Sequence, residues 1–130
     1  MEKDKHNEGY LKNALVLAYL GDSVFSLMVR EYLVKTYGYK ASGLNKRANA
    51  VVCARAQAEI MEKLKPSLNE EEVDICMRAR NSHTNNKAKN STLQEYSLAT
   101  QFEALIGFWY LGEQKAKLDA MFENFVLERL

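Results

Sequence analysis

Apolar residues recur at helical spacing along most of the chain, and this periodicity is what most restricts its fold. It predicts five helical segments, while Pro66 is the only proline and no stretch alternates long enough to predict a strand. The segments run from about Lys12 to Tyr37, Ser42 to Pro66, Asn69 to Arg80, Thr92 to Leu111 and Glu113 to Leu130. We therefore expect an all-α fold, with residues 1–130 forming one compact domain of about five helices whose first ten residues are flexible.

Two of the predicted helices begin at recognisable caps. Asn69 followed by Glu72, and Thr92 followed by Glu95, have the spacing of a capping box. The polar stretch between these helices, residues 81–90, predicts a surface loop.

Two acidic residues stand alone in long uncharged segments. Asp22 is the only charged residue from 13 to 29, and Glu103 is the only one from 96 to 112. Apolar or small residues lie one turn away on both sides of each acid, so we expect both carboxylates to be withdrawn from water. Burying an ionised carboxylate costs several kcal/mol unless a cation, a hydrogen-bond network or a raised pKa compensates for it.

Glycines suggest how these two acids could be related. Gly21 precedes Asp22, and Gly107 lies one turn after Glu103. A glycine inside a helix costs about 1 kcal/mol relative to alanine, so a packing reason is expected. A close crossing at these glycines would bring the two carboxylates together, and a pair of carboxylates suits an oxygen-preferring cation such as Mg²⁺ or Mn²⁺.

Each acid also has a purely structural explanation. Either one could form a salt bridge with an arginine, and Arg30, Arg55 and Arg78 are the candidates. Asp22 could instead cap a helix that restarts after Gly21. The residues alone leave these alternatives open.

Positive charge is concentrated in one region although the net charge is only +1. Between Asp74 and Glu95 no acidic residue occurs, and such local asymmetry favours a polyanionic partner over a merely solvated loop. A histidine in the same stretch, His83, is expected to be a surface residue. The basic residues we single out, including two in the second predicted helix, are Lys46, Arg47, Arg78, Arg80, Lys87 and Lys89.

Cellular location is constrained by what the sequence lacks. The cysteines Cys53 and Cys76 have no CxxC spacing, the N-terminus is polar, and no uncharged apolar run reaches membrane-spanning length. We expect a cytoplasmic protein with reduced thiols and no membrane association.

Several motifs resemble the ribonuclease III family. Leu17–Phe25 (LAYLGDSVF) resembles the family's signature helix, and Glu103–Gly107 (EALIG) resembles its second acidic motif. Arg78–Asn81 and Ala99–Glu103 are similar to the Mini-III branch in particular. The resemblance extends over nearly the whole chain.

This resemblance implies a metal-dependent endoribonuclease that cuts double-stranded RNA and leaves 5′-phosphate and 3′-hydroxyl ends. Asp22 and Glu103 would then ligate Mg²⁺, with Mn²⁺ as a possible substitute, and loss of Asp22 would abolish cleavage. The basic residues would bind the RNA backbone, since the deep groove of A-form RNA excludes side chains.

The resemblance also implies partners and a natural substrate. Family members work as homodimers, and the apolar first helix is a candidate interface. For the Mini-III branch the expected substrate is the stem of precursor 23S ribosomal RNA, which a ribosomal protein could present. No double-stranded RNA-binding domain is expected beyond the catalytic domain.

Two positions depart from the pattern of the larger family members. Ala18 and Thr100 stand where those enzymes carry additional carboxylates, which predicts weaker metal binding. Two other functions therefore remain in view: a catalytically silent double-stranded RNA-binding or ribosome-assembly protein of the same fold, and a helical dimerisation module whose acids form salt bridges.

Overall fold

The structure, a computed structural model, describes residues 13–38, 40–82 and 92–130. None of these residues lies in a strand, which confirms the all-α fold. Six α-helices are present in these ranges: α1 (Ala14–Tyr37), α2 (Ala41–Val52), α3 (Ala54–Leu64), α4 (Glu70–Asn81), α5 (Leu93–Leu111) and α6 (Lys115–Met121). Shorter helical turns are Lys65–Ser67, Phe122–Val126 and Leu127–Arg129.

Helix ends largely follow the predicted signals. Asn69 with Glu72 and Thr92 with Glu95 both form complete capping boxes, as predicted. Gly38 ends α1 with a φ of 87°, a conformation that glycine adopts without steric cost. The predicted N-terminal flexibility, and nearly all of the predicted 81–90 loop, lie outside the described residues.

The prediction of one continuous helix from Ser42 to Pro66 is wrong. The chain becomes extended at Cys53, with φ −77° and ψ 156°, and this residue separates α2 from α3. Two β-branched residues, Val51 and Val52, precede the break and have restricted rotamers in a helix. The change of direction lets the buried face of α3 pack against α5.

Helix α5 lies at the centre of the fold, where α1, α3 and α4 pack against it. Its contact with α1 is the most extensive of any pair of elements. Phe25 and Phe102 meet edge to face in this contact, with ring centroids 5.0 Å apart. Among the described elements, α1 and α5 therefore form the most extensively packed pair of helices.

The C-terminal segment is helical but not one regular helix as predicted. After α6 the chain widens into a π-helical turn, in which Phe122 and Val126 are buried. Arg129 then bonds to Glu59 of α3 at 2.8 Å. Among the described residues, no helix is both long and apolar enough to cross a membrane.

Candidate metal centre

Helices α1 and α5 cross where each carries a glycine. A Cβ atom at Gly21 would overlap the backbone carbonyl of Glu103, and one at Gly107 would overlap the backbone carbonyl of Leu17. Both obstacles are main chain and cannot rotate away, so a larger residue would push the helices apart. The glycines are therefore required by the close approach of the two helices.

This crossing brings Asp22 and Glu103 together. Their side chains share a hydrogen bond, although they come from different helices. Glu103 is half-buried, whereas Asp22 is exposed. The pair therefore forms a site that opens to the surface on the Asp22 side.

The expectation that both acids are withdrawn from water is wrong for Asp22. The buried stripe of α1 at this point contains Leu17, Gly21 and Phe25, spaced four residues apart. Asp22 follows Gly21 and so lies about 100° further around the helix. That rotation places its carboxylate at the edge of the helix–helix contact, where it faces water.

The environment of Glu103 disfavours its ionised form. Burial, the negative charge of Asp22 and the hydrogen bond to Asp22 together raise the pKa of Glu103 to about 8. A hydrogen bond from Gln57 acts in the opposite direction and is outweighed. Near neutral pH the Glu103 carboxyl therefore keeps its proton and donates it to Asp22, because none of the described residues brings a compensating positive charge to the pair.

The structural alternatives for these acids are not realised in the described part of the chain. Helix α1 runs without interruption through Gly21, so Asp22 does not cap a restarted helix. Among the described residues no arginine forms an ion pair with either acid, and Arg55 pairs instead with Glu59 at 3.6 Å.

A third polar residue, Gln57, belongs to this site and was not singled out in the sequence. It lies on α3, is 2% exposed, and hydrogen-bonds to the side chain of Glu103. A signal for it exists in the sequence, since it interrupts an otherwise apolar face of α3. The face becomes recognisable only once the helix is known to begin after Cys53.

The donor set fits a hard divalent cation. Two acids this close accumulate negative charge when both are ionised, a divalent cation would neutralise that charge, and oxygen ligands suit Mg²⁺ or Mn²⁺. Within the described ranges no cluster of three or more metal-ligating residues occurs. Ala18 is buried, and the Thr100 hydroxyl donates to the Tyr96 carbonyl at 2.9 Å.

Two of the predicted RNA-binding residues lie on α2. Lys46 and Arg47 are both exposed. The Arg47 guanidinium lies 3.9 Å from the centre of the Tyr37 ring, which restrains it in a cation–π contact. Its charge is thus held close to the end of α1.

Two further predicted residues lie at the C-terminal end of α4. Arg80 is exposed and lines a cavity of about 280 Å³ together with Thr100, one turn before Glu103. Arg78 is half-buried. The remaining predicted basic residues, Lys87 and Lys89, and His83 with them, lie outside the described residues.

A second buried carboxylate, that of Glu72, has a different environment. It is 1% exposed and accepts hydrogen bonds from Lys117 Nζ at 2.7 Å, Trp109 Nε1 at 2.8 Å and the Asn69 amide at 2.9 Å. Burial alone would raise the pKa of Glu72, but these donors outweigh it and lower the pKa. The sequence predicted its role in the capping box and missed the two side-chain partners.

Comparison with known proteins gives a consistent result. The family model of the ribonuclease III domain matches residues 15–114. Mini-ribonuclease 3 of Brevibacillus brevis is 43% identical over 108 residues, which is 83% of this chain and 81% of that protein. Mini-ribonuclease 3 of Staphylococcus aureus is 35% identical over 128 residues, covering 97% and 96% of the two chains. A crystal structure of a Fusobacterium nucleatum protein is 34% identical, with a TM-score of 0.82 and coverage of 88% of this chain and 93% of that one.

Proposed function

Since the chain belongs to the Mini-III branch of the ribonuclease III family and is an endoribonuclease of double-stranded RNA, we propose that it cleaves with a divalent cation held by Asp22 and Glu103. Mg²⁺ is the proposed cation, and Mn²⁺ can replace it because both prefer oxygen ligands. The observation that carries this proposal is the hydrogen-bonded carboxyl pair at the glycine crossing, to which no residue in the described ranges brings a compensating positive charge.

The two acids have different parts in the proposed reaction. A divalent cation bound there supplies water activation and stabilises charge on the phosphate during phosphodiester hydrolysis. Asp22, which is exposed, presents its carboxylate where an RNA backbone can approach, while half-buried Glu103 closes the inner side of the site. The products are expected to carry 5′-phosphate and 3′-hydroxyl ends.

We propose that RNA lies across the exposed side of this site. Arg80, on the cavity that reaches Thr100, would bind phosphate near the carboxyl pair. Lys46 and Arg47 would extend the contact along α2, and Arg78 would support it from α4. Lys87 and Lys89 are assigned the same role from the sequence. Backbone contacts of this kind suit duplex RNA, whose shape and phosphates are accessible to side chains.

A homodimer through α1 is the proposed assembly. Apolar side chains at helical spacing leave one face of this helix uncovered: Val16, Tyr19, Leu27 and Val34 are exposed, with Tyr19 at 82%. A groove of about 1170 Å³ adjoins them and is lined in part by Leu20, Leu27 and Tyr110. Light scattering at micromolar concentration should give a dimeric mass, and a Leu27→Lys variant should shift it to the monomer. A monomeric parent would contradict this assembly.

The natural substrate is proposed from the family alone. We expect the chain to mature the stem of precursor 23S ribosomal RNA in the cytoplasm, with a ribosomal protein as a possible presenter of the substrate. No contact of the described residues distinguishes this RNA from another duplex.

A catalytically silent RNA-binding protein is the second candidate function. It is favoured by Ala18 and by Thr100, whose hydroxyl donates within its own helix, because both positions lack a further carboxylate. Such a protein would bind duplex RNA with or without a divalent cation and would leave it uncut.

Cleavage of a long RNA duplex tests the proposal. The parent protein, an Asp22→Asn variant and a Glu62→Gln control should be compared in Mg²⁺ and in chelator. Glu62 is an exposed acid on α3 that forms a surface ion pair with Lys65. We expect metal-dependent cutting by the parent and the control. The cleavage rate of Asp22→Asn should fall by more than about 100-fold, since mutating even a residue that only orients a metal ligand typically lowers activity 10–100-fold. Duplex binding without cutting in the parent would favour the silent protein.

A further inference from the structure

The described residues include three buried polar side chains: Gln57 at 2% exposure, Glu72 at 1% and Gln101 at 4%. Glu72 is accounted for by its cap and its donors. Gln101 donates to the Ser97 hydroxyl at 3.2 Å, within its own helix. Gln57 alone hydrogen-bonds across helices to the carboxyl pair, reaching Glu103 from α3.

An apolar side chain at the position of Gln57 would avoid burying a polar group. Its neighbours on the buried face of α3 include Ala58, Ile60 and Met61, which pack into the core. A buried amide that lacks a partner is destabilising, so its hydrogen bond to Glu103 is what makes glutamine tolerable there. A methionine would fill similar space with no polar group to satisfy.

We propose that Gln57 is the positioning residue of the metal centre: its side-chain amide holds the Glu103 carboxyl group in the orientation from which it ligates the divalent cation. This inference rests on the proposed function of the pair. Glu103 is held between two partners on two other helices, so its rotation is limited before any cation arrives. Ligating carboxylates are commonly oriented in this way, and loss of the orienting partner typically costs 10–100-fold in metal affinity.

The test is the Mn²⁺ affinity of a Gln57→Met variant, measured by electron paramagnetic resonance of the free ion. A Gln101→Met variant is the matched control, because it removes the other buried glutamine amide without touching Glu103. We expect Gln57→Met to bind Mn²⁺ 10–100-fold more weakly than the parent, and Gln101→Met to bind it with unchanged affinity.

Cleavage gives a second readout. The Mn²⁺ concentration for half-maximal cutting should rise in Gln57→Met by the same factor, while the rate at saturating Mn²⁺ should fall less. If Gln57 had a purely structural role, Gln57→Met would lower thermal stability and leave the Mn²⁺ concentration for half-maximal cutting unchanged. Circular dichroism checks folding, and Gln57→Leu replaces the methionine variant if that one does not fold.

The outcomes separate the inference from the function on which it rests. If the parent binds Mn²⁺ and cuts RNA, but Gln57→Met binds Mn²⁺ as tightly as Gln101→Met, the positioning role is wrong and the metal centre stands. If the parent binds no Mn²⁺ and cuts equally well in chelator, the metal centre itself is overturned, and the inference is overturned with it.

Discussion

Glu72 and Glu103 are both withdrawn from water, yet their environments shift their pKa values in opposite directions. Glu72 is almost completely buried and receives hydrogen bonds from Lys117, Trp109 and the Asn69 amide, so its pKa is lowered. For Glu103, burial and the neighbouring acid Asp22 raise the pKa to about 8, and the single opposing hydrogen bond, from the Gln57 amide, is too weak to reverse this. The degree of burial therefore does not identify the functional acid.

What distinguishes the two sites is whether the chain itself supplies compensating charge. Lys117 reaches Glu72 from α6 and completes an ion pair, which leaves that carboxylate with a structural role. Nothing comparable reaches the carboxyl pair in the described residues. A carboxyl pair whose negative charge is not compensated by the protein's own side chains is a candidate binding site for an external cation.

The largest expected effect comes from disturbing the crossing on which the carboxyl pair depends. A Gly21→Ala variant would force its new methyl group into the backbone carbonyl of Glu103. We expect the free energy of unfolding to fall by about 3 kcal/mol or more, because neither helix can yield without losing core contacts. Urea denaturation followed by circular dichroism measures this change.

Gly43→Ala is the matched control for that substitution. Gly43 lies within α2, and a Cβ atom there would meet nothing within 4 Å. Alanine is the better helix former by about 1 kcal/mol, so the control should be slightly stabilised. Equal destabilisation of both variants would show that the glycine crossing is not as tight as described.

The next effect in size should come from Glu72→Gln. Glutamine keeps the shape but gives up the charge-assisted hydrogen bond to Lys117, and such bonds contribute roughly 1.5–3 kcal/mol. We expect a loss of about 2 kcal/mol in the free energy of unfolding. An unchanged stability would remove the contrast between the two acids.

Glu103→Gln should cost the metal-free protein less stability than Glu72→Gln does. Below pH 4.5 the Glu103 carboxyl is protonated in the folded state and largely so in the unfolded state, so a neutral amide changes little, and we expect less than about 1 kcal/mol in either direction there. As pH rises from 4.5 to about 8 the variant should become the more stable protein, since the parent must take up a proton at Glu103 to fold and the variant need not. A loss as large as that of Glu72→Gln would contradict this assignment.

The two acids should also give opposite slopes of stability against pH. The folded-state pKa of Glu103, about 8, is above its ordinary value of 4.5, so between these values the folded state binds more protons than the unfolded state. Its contribution therefore falls as pH rises from 4.5 to about 8. Glu72, whose pKa is lowered, contributes stability above 4.5 that is lost as pH falls. Urea titrations of the metal-free parent and Glu103→Gln should differ by the first slope.

The sequence predicts the central pair because its signal is local. A single acid in a long apolar segment, with a glycine beside it or one turn away, can be recognised without knowing any neighbour, and this applies to Asp22 and Glu103. The capping boxes were predictable for the same reason, since their partners lie three residues apart.

What the sequence did not predict depends on long-range packing. Gln57 and Glu103 are far apart in the chain, as are Glu72 and Lys117, and no local pattern relates them. The exposure of Asp22 follows from which residues of α1 face α5, and apolar neighbours alone do not determine that. The helix break at Cys53 likewise follows from how α3 packs on α5.

Calorimetric titration of Mn²⁺ into the protein at pH 7, in two buffers of different ionisation enthalpy, tests the central claim most directly. A cation bound between Asp22 and Glu103 must displace the proton on Glu103, so binding should release about one proton. Binding should be lost in Asp22→Asn, and Glu103→Gln should release no proton. Binding of undiminished affinity in both variants would contradict the account, because the cation would then occupy some other site.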